Sequence, residues 1–198
     1  MKKVFLFGFL LTVFSLVAEV KVLVFAGSTR TDSYNKQLSS EVAQIAKEMG
    51  AKVTLIDLKE FPMPLYDADL EAKDGMPKNA KRLRDLMIAN NAIVIVSPEY
   101  NGSIPAVLKN AIDWASRSET GGSSREAFKG KQFVIMSASP GKLGGARGLV
   151  HLRAVIENIG GEVMLDQVTV PNAYVEGALQ TPAVKKELQK ALKQVIKT

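Results

Sequence analysis

One stretch constrains the fold more than any other. Lys21 to Ala26 is an apolar run without polar alternation, and it leads through Gly27 into a crowd of polar residues and then a helical pattern. A run of that kind is a strand covered on both faces, which belongs to a parallel sheet. Gly27 lets the chain turn without a Cβ clash. Ser28, Thr29, Arg30, Thr31, Ser33 and Asn35 then bring hydroxyls, an amide and a guanidinium together within a few residues. Asp32, Ser33 or Asn35 can cap the following helix, whose apolar positions are Leu38, Val42, Ile45, Ala46 and Met49. A helix start of this composition suits a terminal phosphate, because unpaired N–H groups, the dipole and an Arg all favour an anion. An ordinary capped βα loop would use the same residues. Neither G-x-G-x-x-G nor G-x-x-x-x-G-K-[ST] is present, so the usual dinucleotide and NTPase loops are excluded.

The same alternation recurs along the chain. Strands are expected at Lys52 to Ile56, Ala92 to Val96, Gln132 to Met136 and Glu162 to Leu165. Helices are expected at Pro77 to Asn90, Ile104 to Ser116, Gly148 to Ile159 and Thr181 to Lys197. Leu58 to Gly75, with Pro62 and Pro64, reads as a long irregular loop, and Glu119 to Ser124 as a flexible Gly/Ser segment. Five strand–helix alternations predict an α/β domain with a five-stranded parallel sheet of order 2-1-3-4-5 and helices on both faces. Ligands bind such sheets outside the carboxyl ends of the strands, where the order reverses. The loops expected there are Gly27 to Asn35 and Ser97 to Ser103, with the Gly-rich Ser137 to Gly148 loop on the same edge.

Composition narrows the chemistry. The chain of 198 residues has no cysteine and a single histidine, His151. Disulfides, a Cys nucleophile and a multi-His metal centre are thereby excluded. The net charge of +6 favours anionic ligands, but the Lys and Arg are scattered without interleaved aromatics, so nucleic acid is not an expected partner. Residues 1–18 stand apart: two lysines, an apolar run from Val4 to Val17, then Ala18. This is a signal- or anchor-like segment, short for a membrane span, or alternatively an extra strand or a misassigned start. The domain proper is residues 19–198.

Gly27 to Asn35 resembles the pattern G-S-x-R-x-x-S-x-N, and Pro98 to Pro105, followed by Leu108 to Trp114, resembles a second signature of the same family. That family is the NADPH-dependent FMN reductases, with a flavodoxin-like three-layer sandwich. Pro64 to Asp69, Gly144 to Arg147 and His151 to Arg153 resemble its chromate and quinone reductase branch. The resemblance spans roughly residues 20 to 175. It implies an FMN cofactor, NADPH or NADH as co-substrate, and a quinone, chromate, azo compound or flavin as electron acceptor. Ser28, Arg30, Ser33, Tyr34 and Asn35 would hold the phosphate end. Pro98, Glu99, Tyr100 and Asn101 would follow the ring edge, Gly102 and Ser103 would complete the turn, and Ser139, Gly141 and Gly144 would lie on the other side. Some relatives carry a bulkier residue at the position of Gly102. The flavin supplies the hydride chemistry, so no catalytic side chain and no metal is expected. Lys142 and Arg147 could attract an anionic phosphate, and His151 reads as structural.

The resemblance also implies a homodimer or homotetramer. Use of NAD(P)H favours the cytoplasm, whereas residues 1–18 favour export or membrane anchoring. Two other classes stay open: a non-catalytic flavodoxin-like electron carrier, and an FMN-binding regulatory protein. Carriers are usually strongly acidic, unlike this chain. A phosphate-ester hydrolase using the Ser-rich loop lacks the acid/base pair it would need.

Overall fold

The computed structural model describes residues 19–196. The signal- or anchor-like segment 1–18 lies outside them. Strands β1 (Lys21–Ala26), β2 (Lys52–Asp57), β3 (Ala92–Val96), β4 (Gln132–Ala138) and β5 (Glu162–Val163) form a parallel sheet of order β2-β1-β3-β4-β5. A further strand, β6 (Val168–Val170), pairs parallel with the carboxyl end of β4.

The central strands are apolar throughout because each feeds two cores. Val22, Val24, Val94, Val96, Val134 and Met136 face α1 (Tyr34–Glu48) and α6 (Pro182–Leu192). Leu23, Phe25, Ile93, Ile95, Phe133 and Ile135 face the other layer, α3 (Lys78–Ala89), α4 (Ala106–Ala115) and α5 (Ala146–Asn158). All twelve are at most 2% exposed, so every central strand position is spent on packing. This is a flavodoxin-like sandwich.

Two expectations need correction. The span from Leu58 to Gly75 is not an irregular loop: it holds a 3-10 turn (Leu58–Glu60) and helix α2 (Ala68–Asp74). Asp67 caps α2 by accepting from the N–H groups of Asp69 and Leu70. The helix is held down by tertiary contacts: Glu71 pairs with Arg117, and the Trp114 indole N–H and Asn110 Nδ2 both donate to Pro64 O.

The expected fifth strand, Glu162 to Leu165, is also cut short. Arg153 takes the carbonyls of Val163 and Met164, Leu165 stands 88% exposed, and the chain rejoins the edge only at β6. The return extends β4 to Ala138, two residues past its expected end, and that extension carries Ser137 and Ala138 to the rim of the site.

Candidate cofactor site

Three loops meet above the carboxyl ends of β1, β3 and β4, at the point where the strand order reverses. The loop after β1 stays in the sheet for one more residue, since Gly27 N–H donates to Val96 O at 2.9 Å. Gly27 is not needed for a turn, because its φ lies outside the left-handed region. A Cβ there would sit 2.8 Å from Leu108 Cδ2, so the glycine lets α4 approach β1.

Ser28 and Ser33 are buried, 3% and 5% exposed, and Arg30 is exposed beside them. The Arg30 N–H donates to Ser28 Oγ at 3.3 Å, and its guanidinium donates to Asp32 O at 2.9 Å. Ser33 occupies the N-cap of α1 in extended conformation, yet its hydroxyl makes no cap bond. The first turn of α1 therefore keeps N–H groups without a side-chain partner, beside two hydroxyls and a guanidinium. That arrangement fits a phosphate.

Asn35 has a different role from its neighbours. Its Nδ2 donates to Ala138 O at 2.9 Å and its Oδ1 accepts from Ala138 N–H at 2.9 Å. The amide clamps α1 to the end of β4 and is 4% exposed, so it braces the pocket floor. It also lines the smaller cavity, beside Ser28, Arg30 and Ser33.

The loop after β3 ends in a tight reversal. Tyr100 and Ser103 exchange both backbone hydrogen bonds, at 2.9 and 3.0 Å, around Asn101 (φ 52°) and Gly102 (φ 78°). Two consecutive positive φ values make a type I′ turn, for which Asn-Gly is the favoured pair. A Cβ on Gly102 would meet nothing within 4 Å, so the constraint there is conformational. Ser103 Oγ lies 2.9 Å from His151 Nδ1, which ties the turn to α5 and gives His151 its structural role.

Glu99 reaches the start of α5. Its Oε1 accepts from Arg147 Nε at 2.7 Å, and its Oε2 from the N–H groups of Arg147 (3.1 Å) and Gly148 (3.3 Å). Burial by itself pushes the Glu99 carboxyl up. The Arg147 guanidinium and the two N–H groups outweigh it and hold the carboxyl below its usual range.

The loop after β4 supplies the third wall. Ser139 is fixed by Val170 O and Ala173 N–H, and its Oγ accepts from Gly141 N–H. Gly144 has no room for a side chain, since a Cβ would lie 2.9 Å from Pro171 N.

These walls enclose two adjoining cavities. One of about 220 Å³ is lined by Ser28, Arg30, Ser33, Tyr34, Asn35 and Pro98, with Glu99, Tyr100 and Ser139. The other, about 520 Å³, is lined by Asn101, Gly102, Gly141 and Gly144, again with Glu99 and Ser139. Of the residues expected from the sequence, only Ser103 lines neither. Ala138, Pro140, Leu143 and Gly145 line the cavities without having been expected. For Gly145 the Gly-Gly pair was the available signal; for Ala138 there was none.

Residues 20–175 match the NADPH-dependent FMN reductase family. The chain belongs to that family. It is 35% identical over 149 residues to a quinone reductase of Escherichia coli, covering 74% of each chain. It is 38% identical over 138 residues to an NAD(P)H-dependent FMN reductase of Pseudomonas aeruginosa, covering 70% of each. Among solved structures it is similar to FerB, a flavoenzyme NAD(P)H:(acceptor) oxidoreductase from Paracoccus denitrificans. That likeness has a TM-score of 0.70 and 28% identity, and covers 89% of this chain and 95% of the other.

As an NADPH-dependent FMN reductase the chain is an oxidoreductase, and its loops suit that chemistry. Glycines and a tight turn line the larger cavity, and the smaller cavity supplies an anion-binding end. Arg147, one of the two cations expected to attract an anion, is already paired with Glu99 at 2.6 Å. Lys142 lines the larger cavity and makes no ion pair among the described residues.

Proposed function

We propose that this protein is an NAD(P)H-dependent FMN oxidoreductase that reduces a quinone. The observation that carries the reading is that the two cavities adjoin, sharing Glu99 and Ser139 in their walls. The smaller has the donors for a terminal phosphate, and the larger is lined by the Asn101-Gly102 turn and the Gly-rich loop after β4, whose missing side chains leave room for a planar ring. Ser28, Arg30, Ser33 and the first turn of α1 hold the phosphate end. Tyr34 and Tyr100 flank that cavity. Pro98, Glu99, Asn101 and the turn through Gly102 and Ser103 set one wall, and Ser139, Gly141 and Gly144 the other. Bound FMN would supply two-electron hydride chemistry between the nicotinamide and the acceptor.

Quinone is favoured as acceptor because the curated relatives include several quinone reductases. Among the described residues no helix is long and apolar enough to cross a membrane. Use of NAD(P)H favours a cytoplasmic enzyme, with residues 1–18 the argument for export or anchoring. Exposed apolar residues at and beside the cavities, Tyr100 (49%), Leu143 (56%) and Val150 (65%), support a homodimer or homotetramer in which a second copy covers this edge.

The test is the visible spectrum of the purified full chain, before and after anaerobic NADPH. A flavin spectrum that bleaches, then recovers on adding a benzoquinone, is the expected result. Chromate, an azo dye and free flavin are compared as acceptors in the same assay. A flavin spectrum unmoved by NADPH and by NADH would instead mark a carrier or regulatory protein. A colourless protein that takes up no FMN would overturn the proposal.

A further inference from the structure

Among the described residues, Glu99 is the only ionisable one that lines both cavities. Its side chain is 8% exposed, and its oxygens are occupied by the Arg147 guanidinium and the N–H groups of Arg147 and Gly148. The approach is close because Gly148, in the first turn of α5, carries no side chain. A Cβ on Gly148 would lie 3.3 Å from Glu99 Cβ and 3.2 Å from Ser103 O. The carboxylate is thus committed to protein partners and acts on a ligand through its charge and through what it holds in place.

The charges around it can be compared. A helix N-terminus carries a positive charge of about half a unit. Arg147 adds a full one, and Glu99 removes one. Lys142 also lines the larger cavity without an ion pair among the described residues, so the wall is positive with Glu99 present, by one unit less than without it. Without it, the wall would carry one more positive unit, part of which solvent screens because the Arg147 side chain is 68% exposed.

We infer that Glu99 is a positioning residue that holds the α5 N-terminus and Arg147 in place and offsets one unit of positive charge there, so that the bound flavin stays a stronger reductant. The inference rests on the FMN reading above. Two-electron reduction of a flavin with uptake of one proton adds one net negative charge to the ring. A positive wall binds that form preferentially and makes the flavin harder to oxidise. A less positive wall weakens the preference, so electrons pass on to the acceptor.

The test compares the full chain with Glu99→Gln, Arg147→Gln and the double variant, each reconstituted with FMN. Midpoint potentials are read by titration against reference dyes. Glu99→Gln is expected to favour reduced over oxidised FMN on the order of tenfold, which raises the potential by about 30 mV for a two-electron couple. Arg147→Gln should lower the potential, and the double variant should return close to the parent. An unchanged or lowered potential in Glu99→Gln overturns the inference. So does a shift of one sign in all three variants, which would mean that only loop placement had been lost.

Should Glu99→Gln fail to fold, Arg147→Gln decides: a lower potential supports the inference, and a raised or unchanged one overturns it. The cofactor-free proteins give an independent readout. Thermal midpoints of the two single variants must be non-additive in the double, and additivity would overturn the pairing. A parent protein that binds no FMN would remove the functional reading and this inference together, an outcome distinct from FMN binding with an unmoved potential.

Discussion

Asn35 and Ala138 are joined by two hydrogen bonds of 2.9 Å, one in each direction, across 103 positions of sequence. The side-chain amide reads the backbone of β4 as a neighbouring strand would. It locks the phosphate-side loop to the loop that forms the opposite wall. Asn35→Ala leaves a buried N–H and a buried C=O without partners, at a cost of about 2–4 kcal/mol. Asn35→Asp should be no better, because a carboxylate cannot donate to Ala138 O. Urea midpoints of the cofactor-free protein check both, and a loss below 1 kcal/mol for Asn35→Ala would contradict the clamp.

Arg30 differs from Asn35 in being exposed and only lightly held, through Asp32 O. Its guanidinium is available to a phosphate. Arg30→Ala should therefore weaken FMN binding by about 1.5–3 kcal/mol, roughly ten- to a hundredfold in Kd, with little change in stability. Fluorescence titration of the apoprotein with FMN measures it. With FMN saturating, turnover should recover. Unchanged affinity would mean that the loop after β1 holds something else.

Glu71 gives the fold an acid-sensitive fastening. Its carboxylate takes Arg117 Nε and Nη2, at 2.9 and 2.6 Å, and the Tyr66 hydroxyl at 3.3 Å. The hydrogen bonds from Arg117 lower its pKa from the ordinary 4.5, against the opposing effect of burial. The unfolded chain therefore binds this proton more readily than the folded one. The stabilisation is fully present above pH 4.5 and is lost as the pH falls through the lower folded value. Glu71→Gln should cost about 2–3 kcal/mol at pH 7. The gap between parent and variant should close as the pH drops below 4.5, measured by denaturant unfolding across pH. A gap that stayed constant would show that the pair does not hold α2 down.

The sequence revealed the central strands because burial on both faces leaves no choice of residue type: Val22 to Ala26, Ala92 to Val96 and Phe133 to Met136 are apolar at every position. The Ser97 to Ser103 loop was legible because Pro98, Asn101 and Gly102 break any regular pattern, but the type I′ turn at Asn101-Gly102 emerged only with the fold. Helix α2 was hidden because it has seven residues and a mostly polar surface. Its local signal is Asp67, and its stability comes from Arg117, Asn110 and Trp114, which are far away in sequence. Strand β6 was hidden because three residues carry too little periodicity to read. Asn35 was placed with the phosphate residues by its neighbours, while its actual partner, Ala138, has a side chain with nothing to announce it. Glu99 was visible as a residue, but its tie to α5 required the fold.

Gly27 provides the last test, because sequence and structure assign it different reasons. A glycine kept for a turn would be strained by any substitution through its backbone. Gly27 is kept for space, since a Cβ would meet Leu108 Cδ2 at 2.8 Å and Leu108 Cβ at 3.2 Å. Gly27→Ala should destabilise by about 1–3 kcal/mol through overpacking against α4. Leu108→Ala leaves a void in a fully buried position and costs about 2–5 kcal/mol alone. In the double variant the new methyl enters part of that void, so the two losses should sum to less than their separate values. Chemical denaturation of the four proteins in the cycle measures this. Strict additivity would mean that Gly27 is held by its backbone conformation after all, and that the spacing between β1 and α4 is set elsewhere.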